Sequence, residues 1–168
     1  DPRIVTNVVL SHAHIDHSGR IPLLVKRNFA GQVFATRVTA HACEYLLPDS
    51  AHIQESDAGY LNYKRVRNVI ADLTGRSKEE IKKQLKKNGR TDEEAISRFM
   101  KRYDIAPVKP LYTASDAEQA LSAFSGQPYE EPVTIGRDMT CTFYEAGHIL
   151  GSAITMIHAR ENGEDYTI

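Results

Sequence analysis

The 168-residue chain has no tryptophan and only two cysteines, Cys43 and Cys141. They form no C-x-x-C pair and no disulfide framework. That excludes the small disulfide-stapled secreted class and points to a reducing, cytoplasmic setting. Each cysteine reads as a small core residue, Cys43 on a helix and Cys141 on a strand. No apolar run approaches the roughly 20 residues that cross a bilayer, so no membrane partner is expected. No N-terminal stretch has the layout of a signal peptide. Asp1 does not read as a natural start, and the sequence is expected to be a fragment or a processed product. A strong net charge is also missing, at −1 overall. With 41% hydrophobic and 26% charged residues, an ordinary globular domain with a real core is expected.

The balanced total hides an uneven distribution. Residues 60–102 carry 13 Lys or Arg and 6 Asp or Glu, a net of +7; the rest carry 8 and 16, a net of −8. A basic segment on an acidic body permits contact with nucleic acid without establishing it.

Against this background Ser11-His12-Ala13-His14-Ile15-Asp16-His17-Ser18-Gly19 stands out. Three histidines and an aspartate fall within six residues, and neutral imidazole and carboxylate are ligands of reactive zinc sites. The apolar, β-branched run Ile4–Leu10 predicts a strand leading into the cluster. Ser18 reads as the N-cap of a helix bearing Ile21, Leu23, Leu24 and Val25. The ligands would then sit on a tight turn at a strand's carboxyl end.

Further along, Gln32–Thr36 predicts a second strand. Thr36 or Thr39 caps the following helix, which carries Val38, Ala42, Tyr45 and Leu46, and Pro48 ends or bends it. His41 reads as a helix-surface residue. Residues 60–104 read as a helical insertion. Its first helix has a stripe of Tyr63, Val66, Val69, Ile70 and Leu73. A second is opened by a capping box at Ser77-Lys78-Glu79-Glu80, carries Lys82, Lys83, Lys86 and Lys87, and stops at Asn88-Gly89. A third opens at Thr91-Asp92-Glu93-Glu94, with Ala95, Ile96, Phe99, Met100 and Tyr103 inward. The lysines suit a solvated face or a guiding surface for a phosphate backbone.

A last capping box at Thr113–Glu118 starts a helix expected through Ala120, Leu121 and Phe124, broken at Gly126 and Pro128. The remainder predicts strands at Pro132–Ile135, Met139–Tyr144 and Ala153–Ala159. Turns are expected at Gly136-Arg137-Asp138 and Glu161-Asn162-Gly163-Glu164. His158 reads as a structural residue at a strand end. Strand–helix alternation followed by a meander gives an α/β class with sheets covered by helices.

His12-x-His14-x-Asp16-His17 resembles the signature of the metallo-β-lactamase superfamily. The fuller run from Leu10 to Pro22 resembles its RNA-processing branch, the β-CASP ribonucleases. Val33-Phe34-Ala35-Thr36 and Gly147-His148-Ile149-Leu150-Gly151-Ser152-Ala153 agree, so the resemblance covers about residues 4–58 and 128–168. It implies a four-layer αββα sandwich, of which residues 1–168 are a partial domain with the 60–104 insertion. The cap domain and the C-terminal part lie outside the sequence. It implies zinc held by His12, His14 and His148, and a second ion held by Asp16 and His17, with Asp16 also orienting the nucleophile. Such a pair of ions activates a water for in-line attack on a phosphodiester. A bridging aspartate and a further histidine are also implied, and neither is among these residues, so the segment alone is expected to bind fewer ions and to be weakly active. Leu46–Glu55 resembles a family segment near the metal cleft, where His52 and Glu55 are either added polar groups or a solvated helix face.

Single-stranded RNA is the expected substrate. A small ester or thioester, or a non-catalytic RNA-binding role, stays open on the residues alone. So do the choice between endo- and exonuclease and the existence of a homo-oligomer.

Overall fold

A computed structural model describes residues 1–168. It is α/β, and it divides into two compact units: residues 1–52 with 112–168, and residues 53–111. No helix is long and apolar enough to cross a membrane.

The first unit is built on two sheets. Strands β1 (Asn7–Val9), β2 (Gln32–Thr36) and β5 (Phe124–Gln127) form a parallel sheet in the order β1-β2-β5. Strands β6 (Val133–Gly136), β7 (Met139–Glu145), β8 (Ala153–Glu161) and β9 (Glu164–Thr167) form an antiparallel meander. Strand β2 shows why two layers close on the parallel sheet. Val33 and Ala35 enter a core with Ile21 of α2 (Ile21–Lys26), Ala117 of α6 (Ala114–Leu121), and Cys43, Leu47 and Ala51 of α3 (Arg37–Thr74). Phe34 points the other way, into a second core with Ile135, Cys141, Phe143 and Ala153 of the meander. Successive side chains on a strand face opposite sides, so β2 is buried on both, as a central parallel strand must be. Asn7 ties the sheets at one edge: its side-chain amide donates to Ile135 O at 2.7 Å and its Oδ1 accepts from Gln32 N at 2.9 Å. Both cysteines are buried, on α3 and β7 as expected.

Several local expectations are corrected. Pro2–Ile4 is a single 3-10 turn capped by Asp1, so β1 begins only at Asn7 and Ile4 is exposed. Ser18 does not cap α2, whose N-cap is Arg20; Ser18 closes a separate four-residue helix, α1 (Ile15–Ser18). Pro48 does not end its helix, and no separate helix begins near Tyr60; α3 runs unbroken through both. Burial of Leu47 and Ala51 on either side of Pro48 offsets the one backbone hydrogen bond it removes. Phe124 belongs not to α6 but to β5, and residues 124–127 pair in parallel with β2. His158 lies inside β8 rather than at its end, with Nδ1 2.9 Å from Thr167 Oγ1.

In the second unit, Tyr63, Val66 and Ile70 of α3 meet Ile81 and Leu85 of α4 (Lys78–Gln84) and Ala95, Ile96 and Met100 of α5 (Glu93–Arg102). Leu73 falls off this stripe and is exposed. Asn62 holds the unit's last segment by pairing with both Val108 N and Val108 O, at 2.8 and 2.9 Å. The Ser77–Glu80 capping box forms as predicted. The third helix is capped by Asp92, one residue later than Thr91. Asn88-Gly89 is not a helix stop. Both residues take positive φ, at 53° and 78°, and they turn a two-stranded hairpin of β3 (Lys86–Lys87) and β4 (Arg90–Thr91). That is the I′ turn that Asn-Gly favours between short strands. Lys86 and Lys87 are therefore on the hairpin, not on α4.

Candidate metal centre

The chain leaves β1 at Val9, and Leu10 N still donates to Phe34 O, at 2.8 Å. Ala13 is fully buried, which turns its neighbours His12 and His14 outward. His14 N-caps α1, and its carbonyl accepts from His17 N and Ser18 N. The buried Ser18 hydroxyl sits beneath this turn, with its Oγ 2.9 Å from Ala13 O and 3.1 Å from His14 O. Gly19 completes it, because any Cβ there would stand 2.4 Å from Ile15 O.

His148 arrives from the loop between β7 and β8, and buried hydroxyls fix that loop. Ser152 Oγ accepts from His148 N and Ile149 N, each at 3.1 Å. Gly151 O accepts from Thr36 Oγ1 at 2.6 Å and from Thr39 Oγ1 at 2.8 Å. Thr36 Oγ1 also accepts Thr39 N, so it is Thr36 that caps α3, and the same hydroxyl grips the His148 loop. Gly151 has φ +83°, and a Cβ there would lie 2.6 Å from Thr39 N, so only glycine fits. Tyr129 adds a bond to Ser152 O at 3.0 Å. Ala153 N donates to Ser11 O at 2.8 Å, which joins the two histidine-bearing loops directly.

His12, His14 and His148 converge. His14 Nδ1 stands 3.2 Å from His12 Nε2 and 3.3 Å from His148 Nε2. The three rings meet edge to face, with centroids 4.9 to 5.1 Å apart. All three offer a ring nitrogen to one point. Nitrogens about 2.0–2.1 Å from a tetrahedral zinc stand roughly 3.3 Å from one another, so the observed spacing suits that ion. His12 Nδ1 is 2.9 Å from Ser11 Oγ. With its proton on Nδ1 toward that serine, His12 leaves the Nε2 lone pair facing its partners. Burial, and then the His17, His14 and His148 imidazoles, hold His12 below the ordinary histidine pKa against the pull of Asp16. That keeps it neutral, the state a metal ligand needs.

Asp16 and His17 stand on α1 beside this trio rather than in it. The His17 ring lies 4.2 Å from that of His12, and His17 Nε2 is 3.6 Å from Asp16 Oδ2. The Asp16 side chain is 79% exposed and open to a further ligand or to substrate. His41 is on the α3 surface, 3.1 Å from Glu44. His52 is an exposed residue of α3 and Glu55 a half-buried one; neither is grouped with the trio.

Sequence reasoning missed the hydroxyls. Ser11 adjoins His12 and Ser152 follows His148 by four residues, and that nearness is their only signal in the sequence. Thr36 and Thr39 act across more than a hundred residues and left none.

No family model matches the sequence. Ribonuclease TTHA0252 of Thermus thermophilus is 42% identical over 55 residues, 33% of this chain and 13% of that protein. Transcription termination factor FttA of Pyrococcus abyssi is 26% identical over 152 residues, 90% of this chain and 16% of that protein. Endoribonuclease YSH1 of Gibberella zeae is 26% identical over 158 residues, 94% of this chain and 13% of that protein. The chain thus spans about a seventh of the length of these relatives. The chain is thus similar, at low identity over most of its length, to RNA-processing nucleases of the β-CASP branch of the metallo-β-lactamase superfamily.

Proposed function

We propose that this chain carries the first part of the active site of a zinc-dependent hydrolase that cleaves phosphodiester bonds in single-stranded RNA. The observation that carries this is the tripod of His12, His14 and His148, spaced for one ion and held by buried hydroxyls. The relatives named as a ribonuclease and an endoribonuclease support the substrate class. We read residues 1–168 as part of an αββα metallo-β-lactamase domain into which 60–104 are inserted.

His12, His14 and His148 would hold one zinc ion, and Asp16 with His17 would supply two donors for a second. When bound, zinc lowers the pKa of water toward neutrality and draws charge from phosphate oxygens. The protein's part is geometric. Ser11 selects the His12 tautomer, Ser18 fixes the His14 turn, and Ser152 with Thr36 and Thr39 aim His148. Asp16, exposed at the mouth, accepts a hydrogen bond from the attacking water and orients it toward phosphorus. The 168 residues alone hold five of the donors, so they bind fewer ions than the complete protein and turn over weakly.

The test is made on the product of the complete reading frame, with labelled single-stranded RNA, with and without zinc, beside His14→Ala. Zinc-dependent cleavage, at least about 100-fold weaker in His14→Ala, is expected for loss of a metal ligand. Zinc binding without RNA cleavage would transfer the site to a small ester or thioester. Neither binding nor cleavage would make it a non-catalytic subunit.

A further inference from the structure

We propose that the β3–β4 hairpin and the adjoining end of α4 form a second contact for the same RNA. There Lys83, Lys86, Lys87 and Arg90 would grip its phosphate backbone. The inference rests on the RNA reading above and extends it to a surface that takes no part in cleavage.

Register carries the argument. Lys87 and Arg90 are direct partners across the hairpin, flanking the Asn88-Gly89 turn. Like charges placed directly opposite on neighbouring strands repel, so folding gains nothing from the pair. All four cations are exposed, and none has a carboxylate at ion-pair distance. Their neighbours differ: Lys82 pairs with Glu79 at 3.5 Å, and Arg76 with Glu80 at 4.0 Å. Glu79 and Glu80 of α4 are thus taken by Lys82 and Arg76, and Lys83 and the three hairpin cations are left without an acid.

The nearest acids are otherwise engaged. Asp92 accepts from Ala95 N at 3.0 Å as the cap of α5. Glu93 and Glu94 lie in the first turn of α5, where the helix dipole favours negative charge. The tight I′ turn leaves Lys87 and Arg90 on one face and Lys86 on the other. A rigid ribbon with cations on both faces suits a flexible polyanion that can wrap it. Arginine's planar fork can take two phosphate oxygens, and the lysines act as point charges.

The experiment measures binding of a labelled single-stranded RNA to the full-length protein by fluorescence anisotropy in EDTA, which suppresses cleavage, over a range of salt. Each phosphate contact to a single strand contributes about 0.7 to the slope of log K against log salt. The variant Lys83→Gln/Lys86→Gln/Lys87→Gln/Arg90→Gln is expected to reduce that slope by roughly 3 and to weaken binding at least about tenfold at low salt. Glu93→Gln/Glu94→Gln, which removes the adjoining negative charge, is expected to tighten binding a few-fold, and it tests the surface even if the fourfold variant folds poorly. An unchanged slope in the fourfold variant, with circular dichroism like the parent's, overturns the proposal and leaves the nuclease reading standing. Absence of RNA binding by the unaltered protein overturns both. Hairpin-dependent binding to phosphatidylserine vesicles, with the RNA slope unchanged, overturns it in favour of a membrane surface. His14→Ala separates the two readings, since it should lose cleavage while keeping the salt slope.

Discussion

Residues 1–52 and 112–168 carry 7 Lys or Arg against 13 Asp or Glu, whereas residues 53–111 carry 14 against 9. The difference extends to the interior. Every buried polar residue lies in the first unit: Ser18, Thr36, Thr39, Thr142 and Ser152. Four of these five hydrogen-bond the turns that present His14 and His148. The second unit's core cluster is apolar; its enclosed polar atoms, Asn62 paired with Val108 and the unpartnered Arg67 Nε and Asn68 Oδ1, belong to residues that are themselves only half-buried. The contrast follows from what each kind of recognition needs. A metal tripod fails if a ligand moves by an ångström, so its supports are buried, where a hydrogen bond cannot be exchanged for water. A polyanion surface needs charge but no fixed geometry, and long exposed side chains suffice.

The strongest way to break the contrast is to loosen the first unit from within. Gly151→Ala forces a Cβ against Thr39 N at 2.6 Å and strains a φ of +83°. The loop must move off the Thr36 and Thr39 hydroxyls, at a cost of about 2–4 kcal/mol. Chemical denaturation should show that loss. Calorimetric titration should show zinc affinity falling roughly 10–100-fold, as when supports of metal ligands are removed. Unchanged zinc affinity despite lost stability would mean that the clamp serves folding alone.

A smaller effect concerns the seam between α2 and α6. Asp116 accepts Thr113 N as part of the α6 cap and pairs with Lys26 Nζ at 2.7 Å. The Lys26 hydrogen bond first, and then the Thr113 backbone, hold its carboxyl below the ordinary aspartate value. A lowered folded-state pKa means stability that is present in full above the unfolded value, about pH 4, and lost as pH falls through the folded one. Asp116→Ala should cost about 1 kcal/mol at pH 7, most of it from the cap. Thermal melts at pH 7 and at about pH 2 should show the gap between parent and variant narrowing in acid. A gap constant with pH would remove the Lys26 pair from the account.

What could be read in advance divides along similar lines. His12, His14, Asp16 and His17 stand out in the sequence because they fall within one turn, although only His12 and His14 of the four group with His148. Periodicity and caps located α4, α6 and the meander, since Ser77, Thr113 and the Glu161–Glu164 turn act on backbone a few residues away. Two misreadings share a cause: one local signal has two structural outcomes. A serine before an apolar run can cap the next helix or close the previous turn, and Ser18 does the second, donating its hydroxyl back to Ala13 O and His14 O. Asn-Gly supplies positive φ equally to a helix end and to a hairpin, and the short strands around Asn88 decide. Phe124–Gln127 carries no strand pattern of its own; its pairing with β2 makes it one. The hydroxyl clamp was invisible because Thr36 and Gly151 are 115 residues apart.

The smallest expected effect sharpens the comparison most, because it sets stability against binding at one side chain. Lys87 faces Arg90 across the hairpin and has no anionic partner. If the pair existed for folding, replacing Lys87 would cost stability. Lys87→Thr instead removes a like-charge contact and places a β-branched residue on a strand. Both changes favour the hairpin, by about 0.2–1 kcal/mol. Melting in low salt should therefore show a small rise in Tm, and the rise should fade as salt screens the repulsion it relieves. RNA affinity should fall in the same variant, with the salt slope smaller by about 0.7. Opposite signs for the two quantities would mean that the charge is kept at the expense of folding, which only a ligand explains. A drop in both would make Lys87 a structural residue and return the hairpin to the solvated surface.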